Sequence, residues 1–424
     1  MTEENDTYMQ VKKSSPLLPV FITVFIDMLG IGIMIPVFAP LIIRNQHGLL
    51  DAAANEQTRN IIYGLLAAIF PLFQFFGAPI LGALADKYGR KKILLISLIG
   101  TFVGYLLFAY SIQAKWLWLL FVARAIPGFT GGNISIVLAS LADISAPKDR
   151  AKNFGLVGMA FGLGFIFGPV IGGLLADSKV CSWFDFSTPL WFTAFLTLIN
   201  IFFVIQRFPE TYQPTSAKQL SLLAGIKNLK KAFQLTNLRV VLLSLFLLAF
   251  GFSFFTQFFS VFVIKKFDFD QRQIGLIFGF VGIWIAITQG LLTRIASKHF
   301  SSPQILRVSL LVFAAGLFGL ILPDTVAVMY VFNAIIAIGQ GLSQPNFASI
   351  VSSIADKDTQ GEMLGVQQSV QSVALIIPPL VAGFIVNIDY RLPILVSSFC
   401  LLLSWLVFFF FFKEKSNEES TRLP

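Results

Sequence analysis

Apolar runs of about 20 residues, each long enough to cross a bilayer as a helix, recur along the whole chain and are separated by short polar clusters. They predict helices over 17–43, 61–85, 93–113, 116–142, 153–176 and 188–206, then over 240–264, 273–293, 304–323, 325–354, 363–388 and 392–412. The fold class expected is an all-α membrane protein with twelve transmembrane helices. The first run is too long, and its flank MTEEND too acidic, for a cleaved signal peptide, so it reads as a retained helix.

The runs group into an N-terminal six-helix half (1–207), a connector (208–236) and a C-terminal six-helix half with a short tail (237–424). Within the connector, LSLLAGIKNLKKAFQL sets Lys227, Lys230 and Lys231 among apolar residues, as expected of a short amphipathic helix lying on a membrane surface. The halves repeat one another. KNFGLVGMAFGLGFIFGPVIGG (152–173) overlays GEMLGVQQSVQSVALIIPPLVAGF (361–384), matching Gly155 with Gly365, Pro169 with Pro379 and Gly173 with Gly383. Two pseudo-symmetric halves with a substrate site between them near the bilayer midplane are a transporter architecture.

Composition narrows the class. The 424 residues are 56% hydrophobic and 12% charged, with mean hydropathy +0.79, about half the charge of soluble domains. The net charge of +9 is a topology signal. With both termini cytoplasmic, 22 basic residues fall on the inner side and 8 on the outer, Arg124 lying within a span. Spread over short loops, this charge argues against a nucleic-acid partner. Cys181 and Cys400 make no framework, and His47 and His299 both lie in loops, so no metal site is expected. No nucleophile–base pair is visible, which excludes the common enzyme classes. No cofactor is expected.

The segment between the second and third spans reads GALADKYGRKKIL (82–94). Gly82 would admit a neighbouring helix, Gly89 a tight turn, and Asp86 stands beside Arg90 and Lys91. A basic cytoplasmic loop is ordinary, but this ordered spacing is not. It resembles the signature of the major facilitator superfamily, and the resemblance covers essentially the whole chain. VFIDMLGIGIMIPVFAPL (24–41), FVARAIPGFTGGNISIVLASLADISAPKDRAKNFG (121–155) and GLGFIFGPVIGG (162–173) are similar to the twelve-helix drug:proton antiporters, the tetracycline-efflux branch in particular. The resemblance implies the major facilitator fold and a gate in which Asp86, held by Arg90, lies near the start of the eleventh helix around Gly361. It also links the third segment with export.

That segment has a physical reading of its own. Gly164, Gly168 and Gly172 recur every four residues and line one helix face, where small residues allow tight packing in lipid. Pro169 removes a backbone hydrogen bond, and Gly173 follows. Gly275, Gly279 and Gly282 offer a matching surface on the eighth span, so a hinge or seal between the two is expected.

Two charges lie deep in the spans, Asp27 in the first and Arg124 in the fourth. Asp27 is about 15 Å from the inner end and Arg124 about 12 Å from the outer end at the helical rise, near the middle of a core about 30 Å thick. Charges in hydrocarbon are costly and usually face one another or an aqueous path. Either the pair is a static bridge, or Asp27 carries the proton and Arg124 tunes it. Burial disfavours ionised Asp27 while a nearby guanidinium favours it, and no other acid lies deep in a span. Uncharged polar and aromatic side chains complete a candidate substrate cavity with Asp27 and Arg124: Asn133, Phe254, Gln257, Phe258, Asn333, Gln340, Gln344 and Gln367.

The reading is a secondary transporter of the cytoplasmic membrane of a bacterium, working as a monomer. It exports small amphiphilic organic compounds against protons by alternating access, with the proton gradient as its energy source. The alternative on the same scaffold is a proton-coupled uptake permease for a nutrient or metal chelate.

Overall fold

The computed structural model describes residues 17–45, 48–51, 53–131, 133–145, 150–211, 236–354, 367 and 370–413. Its helices are α1 (Leu17–Ile43), α2 (Glu56–Tyr88), α3 (Arg90–Gln113), α4 (Leu117–Thr130), α5 (Asn133–Ile144), α6 (Arg150–Leu175) and α7 (Thr188–Arg207). There follow α8 (Thr236–Phe267), α9 (Gln271–Ile287), a π turn (Thr288–Leu292) leading into α10 (Thr293–Ala296), α11 (Ser302–Gly319), α12 (Val326–Ile354), α13 (Ile377–Ile385) and α14 (Leu392–Phe411). Ten helices among the described residues are long and apolar enough to cross a membrane, and two shorter apolar ones, Leu117–Thr130 and Val370–Ile385, stand at the fourth and eleventh positions. The fold is all-α with the twelve spans expected.

Three departures from the hydropathy pattern have local causes. The fourth span is not continuous over 116–142. It stops at Thr130 and restarts at Asn133, after Pro127 has removed a helical hydrogen bond and where Gly131 gives the helix no side-chain support. The eleventh is interrupted by a turn at Leu375–Ile376, just before Pro378 and Pro379, neither of which can donate a backbone hydrogen bond. The segment joining the second and third spans is not an open loop. Gly89 alone separates α2 from α3, at φ 98°, a conformation that favours glycine.

The structure divides into two compact units, one of residues 1–222 with Val263–Gly282, the other of 223–262 with 283–424. In the first unit Val24, Met28, Leu81, Leu94, Leu98, Val137, Ala160 and Val204 form a buried apolar core. The glycine stripe of α6 packs on α1. A Cβ at Gly164 would lie 2.5 Å from that of Met28, one at Gly168 2.7 Å from the Leu29 carbonyl oxygen, and one at Gly172 2.8 Å from the Ile33 Cα. The expected partnership between this stripe and the glycines of the eighth span is therefore corrected. Gly275, Gly279 and Gly282 of α9 do meet α6, but on another face, at Pro169, Val170, Ile166 and Gly173. Spacing by four identified a small-residue face without identifying which neighbour uses it. A Cβ at Gly82 would meet nothing within 4 Å among the described residues.

In the second unit α8 carries a phenylalanine ladder, with Phe246, Phe250 and Phe254 in successive ring contacts and Phe252 edge-on to Phe313 of α11. Helices α11 and α12 approach closely at Gly316, Gly319 and Gly339. In the first unit α3 and α4 do the same at Gly104, whose Cβ would meet Pro127.

Candidate functional site

Asp27 lies on α1, half-buried. One turn further along α1, Gly30 leaves room for a phenol from α3: a Cβ there would sit 2.6 Å from Tyr105 Oη and 2.9 Å from Thr193 Cγ2 of α7. One more turn brings Met34. The Arg124 guanidinium of α4 reaches this level, with Nη1 3.8 Å from Met34 Sδ and Nε donating to the Leu66 carbonyl of α2 at 3.4 Å. Its Cζ lies 4.9 Å from the centroid of the Phe38 ring and 5.3 Å from that of Phe70. Cation–π contact of this kind offsets part of the cost of desolvating a guanidinium. Tyr63 of α2 is buried against Phe38, ring to ring at 5.1 Å, and interacts electrostatically with Arg124.

Asp27 and Arg124 therefore lie at different levels of α1, with Arg124 displaced toward Met34. Met34 is seven residues beyond Asp27, or about 10 Å of helical rise. Between these levels lies Tyr105, which interacts electrostatically with both. Neither tyrosine was flagged by the charge pattern, because a tyrosine inside an apolar run carries no hydropathy signal.

Of the polar residues expected to line a cavity, Asn333 is fully buried with its amide nitrogen bonded back to Met329 O at 2.9 Å, and its Oδ1 finds no partner among the described residues. Gln367 is buried with Oε1 in the same condition. Gln344 accepts from Gln371 at 3.2 Å. Gln257 and Gln340 are half-buried, while Phe254 and Phe258 are buried packing residues of α8. Asn133 opens α5, and its side chain lies outside the described residues, as do the stretch 220–235 expected to form the connector helix and Gly361.

At the α2–α3 corner, Asp86 pairs with Arg90 at 2.7 Å as expected, and Arg90 reaches on to Asp143 of α5 at 3.3 Å. A third carboxylate was missed. Glu210, just past α7, accepts from the backbone N–H of Arg90 at 2.7 Å and of Lys91 at 3.2 Å. It occupies the N-terminus of α3, where free N–H groups and the helix dipole favour an anion, and Gly89 gives it room. Lys91 Nζ donates to Ile205 O at 2.8 Å. The sequence clue was an acid placed immediately after a span, opposite a basic helix start. Replacing Glu210 by Gln should cost about 1 kcal/mol at this cap. Amide exchange at Arg90 and Lys91 should quicken several-fold while that of mid-helix α3 amides stays unchanged.

At the opposite end of the same unit, Arg44 Nη2 binds Asp268 Oδ1 at 2.7 Å, Asp268 O at 3.0 Å and Phe269 O at 2.8 Å. Lys265 pairs with Glu56 at 2.5 Å, and Gln271 donates to Ala176 O at 3.3 Å. These contacts tie the ends of α1, α2 and α6 to the α8–α9 corner.

Charges held part-buried among packed apolar helices and a capped acidic–basic corner are transporter features. The Major Facilitator Superfamily model matches residues 20–379 and 241–424. The chain belongs to the major facilitator superfamily. It is 29% identical to the tetracycline resistance protein, class H, of Pasteurella multocida over 88% of each chain. It is 28% identical to multidrug resistance protein 1 of Bacillus subtilis over 90% of this chain and 92% of that one. Its fold is similar to that of the human organic anion transporter MFSD10 (TETRAN), with TM-score 0.70 and 21% identity over 92% and 98% of the two chains. A D-xylose-proton symporter gives TM-score 0.75 at 14% identity over 94% and 99%. As a superfamily member it is a multi-pass membrane transporter of small molecules, and its relatives and fold are those of transporters, not enzymes.

Proposed function

We propose that this carrier exports small amphiphilic organic compounds, tetracyclines among them, in exchange for protons, by alternating access in the bacterial cytoplasmic membrane. It works as a monomer with both termini cytoplasmic, and the proton gradient supplies the energy without a cofactor. The observation that carries the reading is the Asp27–Tyr105–Arg124 arrangement, a carboxylate and a guanidinium held in the spans at different levels of α1 with a phenol between them. The relatives named for tetracycline and multidrug resistance support the substrate class. A proton arriving from outside neutralises Asp27 and favours substrate release outward. Deprotonation toward the cytoplasm resets the carrier as the halves, 1–207 and 237–424, rock about the central site.

Direction is tested in cells expressing the chain, loaded with tetracycline. Steady-state accumulation should fall several-fold against an empty-vector control and rise again when an uncoupler is added. Higher accumulation in expressing cells would overturn export in favour of uptake.

On this reading the Arg44–Asp268 tie closes the outer end and must break for release. Asp268 is largely exposed, so the pair is worth less than about 1 kcal/mol and is suited to repeated breaking. Arg44→Ala should raise the rate at which an impermeant maleimide labels Met34→Cys, in a background lacking Cys181 and Cys400, by about 2- to 5-fold (the range of a tie of that strength). An unchanged rate would remove the tie from the gating cycle.

A further inference from the structure

We propose that Tyr105 is a positioning residue for proton exchange at Asp27, its hydroxyl donating to the ionised carboxylate and turning toward the Arg124 level when Asp27 is protonated. The inference rests on the proton-carrying role given to Asp27 above. Three observations carry it. Tyr105 is buried, 7% exposed, so its hydroxyl must find its partners within the protein. Its Oη lies at Gly30, about 4.5 Å of helical rise beyond Asp27 and about 6 Å short of Met34, where Arg124 sits. Gly30 is the means of that placement, since any larger residue would collide with Oη at 2.6 Å.

The chemistry suits the position. Ionised Asp27 can only accept and Arg124 can only donate, whereas a phenol does both. Tyr105 can therefore donate to the carboxylate, or accept from the guanidinium side once the carboxylate has taken its proton, without adding a charge to the bilayer core. Among the described residues, the groups that face this stretch of α1 include Tyr63 from α2, Thr193 and Asn200 from α7, and the glycines 164 and 168 from α6, none of which is a carboxylate.

The test reads Asp27 directly and needs no substrate. Membranes containing the full chain are treated with dicyclohexylcarbodiimide, which modifies protonated carboxyl groups in apolar surroundings, across a range of pH. The extent of reaction on the Asp27 peptide is followed by mass spectrometry, with Asp27→Asn as the blank. Loss of a hydrogen bond that favours the ionised form should move the reaction midpoint of Tyr105→Phe upward by about one pH unit. Gly30→Ala, which keeps the hydroxyl but displaces it, should move the midpoint in the same direction. A purely structural role for Tyr105 would leave the midpoint in place. Wild-type midpoints in both variants would overturn the inference while leaving Asp27 as the carrier. Failure of wild-type Asp27 to show any pH-dependent reaction would overturn the underlying proton-carrier reading instead.

Discussion

Asp27→Asn should abolish gradient-driven transport while leaving the carrier folded and able to exchange substrate. The amide is nearly isosteric with the carboxyl group and places no new charge in the spans, so the packing of α1 on α6 and α7 is retained. What it cannot do is bind and release a proton. In proteoliposomes with an acidic lumen, accumulation of tetracycline should fall to the protein-free level, a loss of about 100-fold or more (the order expected when an essential proton-transfer group is removed). Exchange of labelled for unlabelled tetracycline across the same membrane, with no pH gradient, should persist within about 3-fold of wild type. Retention of gradient-driven accumulation by the variant would remove Asp27 from the coupling step. Loss of both activities in a well-folded variant would make it a substrate ligand first.

The second large effect is on stability. Gly172→Ala should weaken the α1–α6 contact, because the added methyl group meets the Ile33 carbonyl oxygen, its Cα at 2.8 Å and its carbonyl carbon at 2.9 Å. Backbone atoms cannot rotate aside as a side chain can, so the helices must separate along a stripe that also includes Gly164 and Gly168. Overpacking of this kind costs about 1–3 kcal/mol, and here the upper end applies. Gly162→Ala is the control on the same helix: its Cβ would meet nothing within 4 Å among the described residues, and helix propensity alone favours alanine there by up to about 1 kcal/mol. Thermal unfolding in detergent should show a fall of several degrees for Gly172→Ala and no fall for Gly162→Ala. Equal midpoints would mean that the stripe tolerates expansion and is not a tight seam.

These two sites also show what the sequence made legible. A carboxylate and a guanidinium inside apolar runs are conspicuous because hydrocarbon penalises them, and Asp27 and Arg124 stood out for that reason. Tyr105 and Tyr63 share the same centre but are compatible with an apolar environment, so hydropathy could not single them out among eight tyrosines. The bounds of the first span matched α1 residue for residue, since nothing inside it competes with a continuous helix. The fourth did not, because Pro127 and Gly131 break it while leaving its hydropathy high. Glycine spacing on α6 marked one small-residue face without assigning it to α1. That choice depends on which neighbours the tertiary packing supplies. Glu210 was hidden by its place in a connecting segment, where an acid is ordinary until its oxygens are seen on the first amides of α3.

The α2–α3 corner was partly legible in the same way. The i,i+4 spacing of Asp86 and Arg90 allows the pair that is found, whereas the Arg90 contact with Asp143 joins residues 53 apart in the chain. Gly89 reveals itself in sequence only as a glycine between two helical patterns. Its φ of 98° shows why an L side chain would be strained there.

The most direct test of proton-coupled export is the lumenal pH of everted membrane vesicles, acidified by respiration and followed with a pH-sensitive dye as tetracycline is added. Antiport through this carrier predicts an immediate rise in lumenal pH in vesicles containing the wild-type chain, with no rise in vesicles containing Asp27→Asn. Entry of tetracycline into the wild-type vesicles with no change in lumenal pH, or with further acidification, would contradict it.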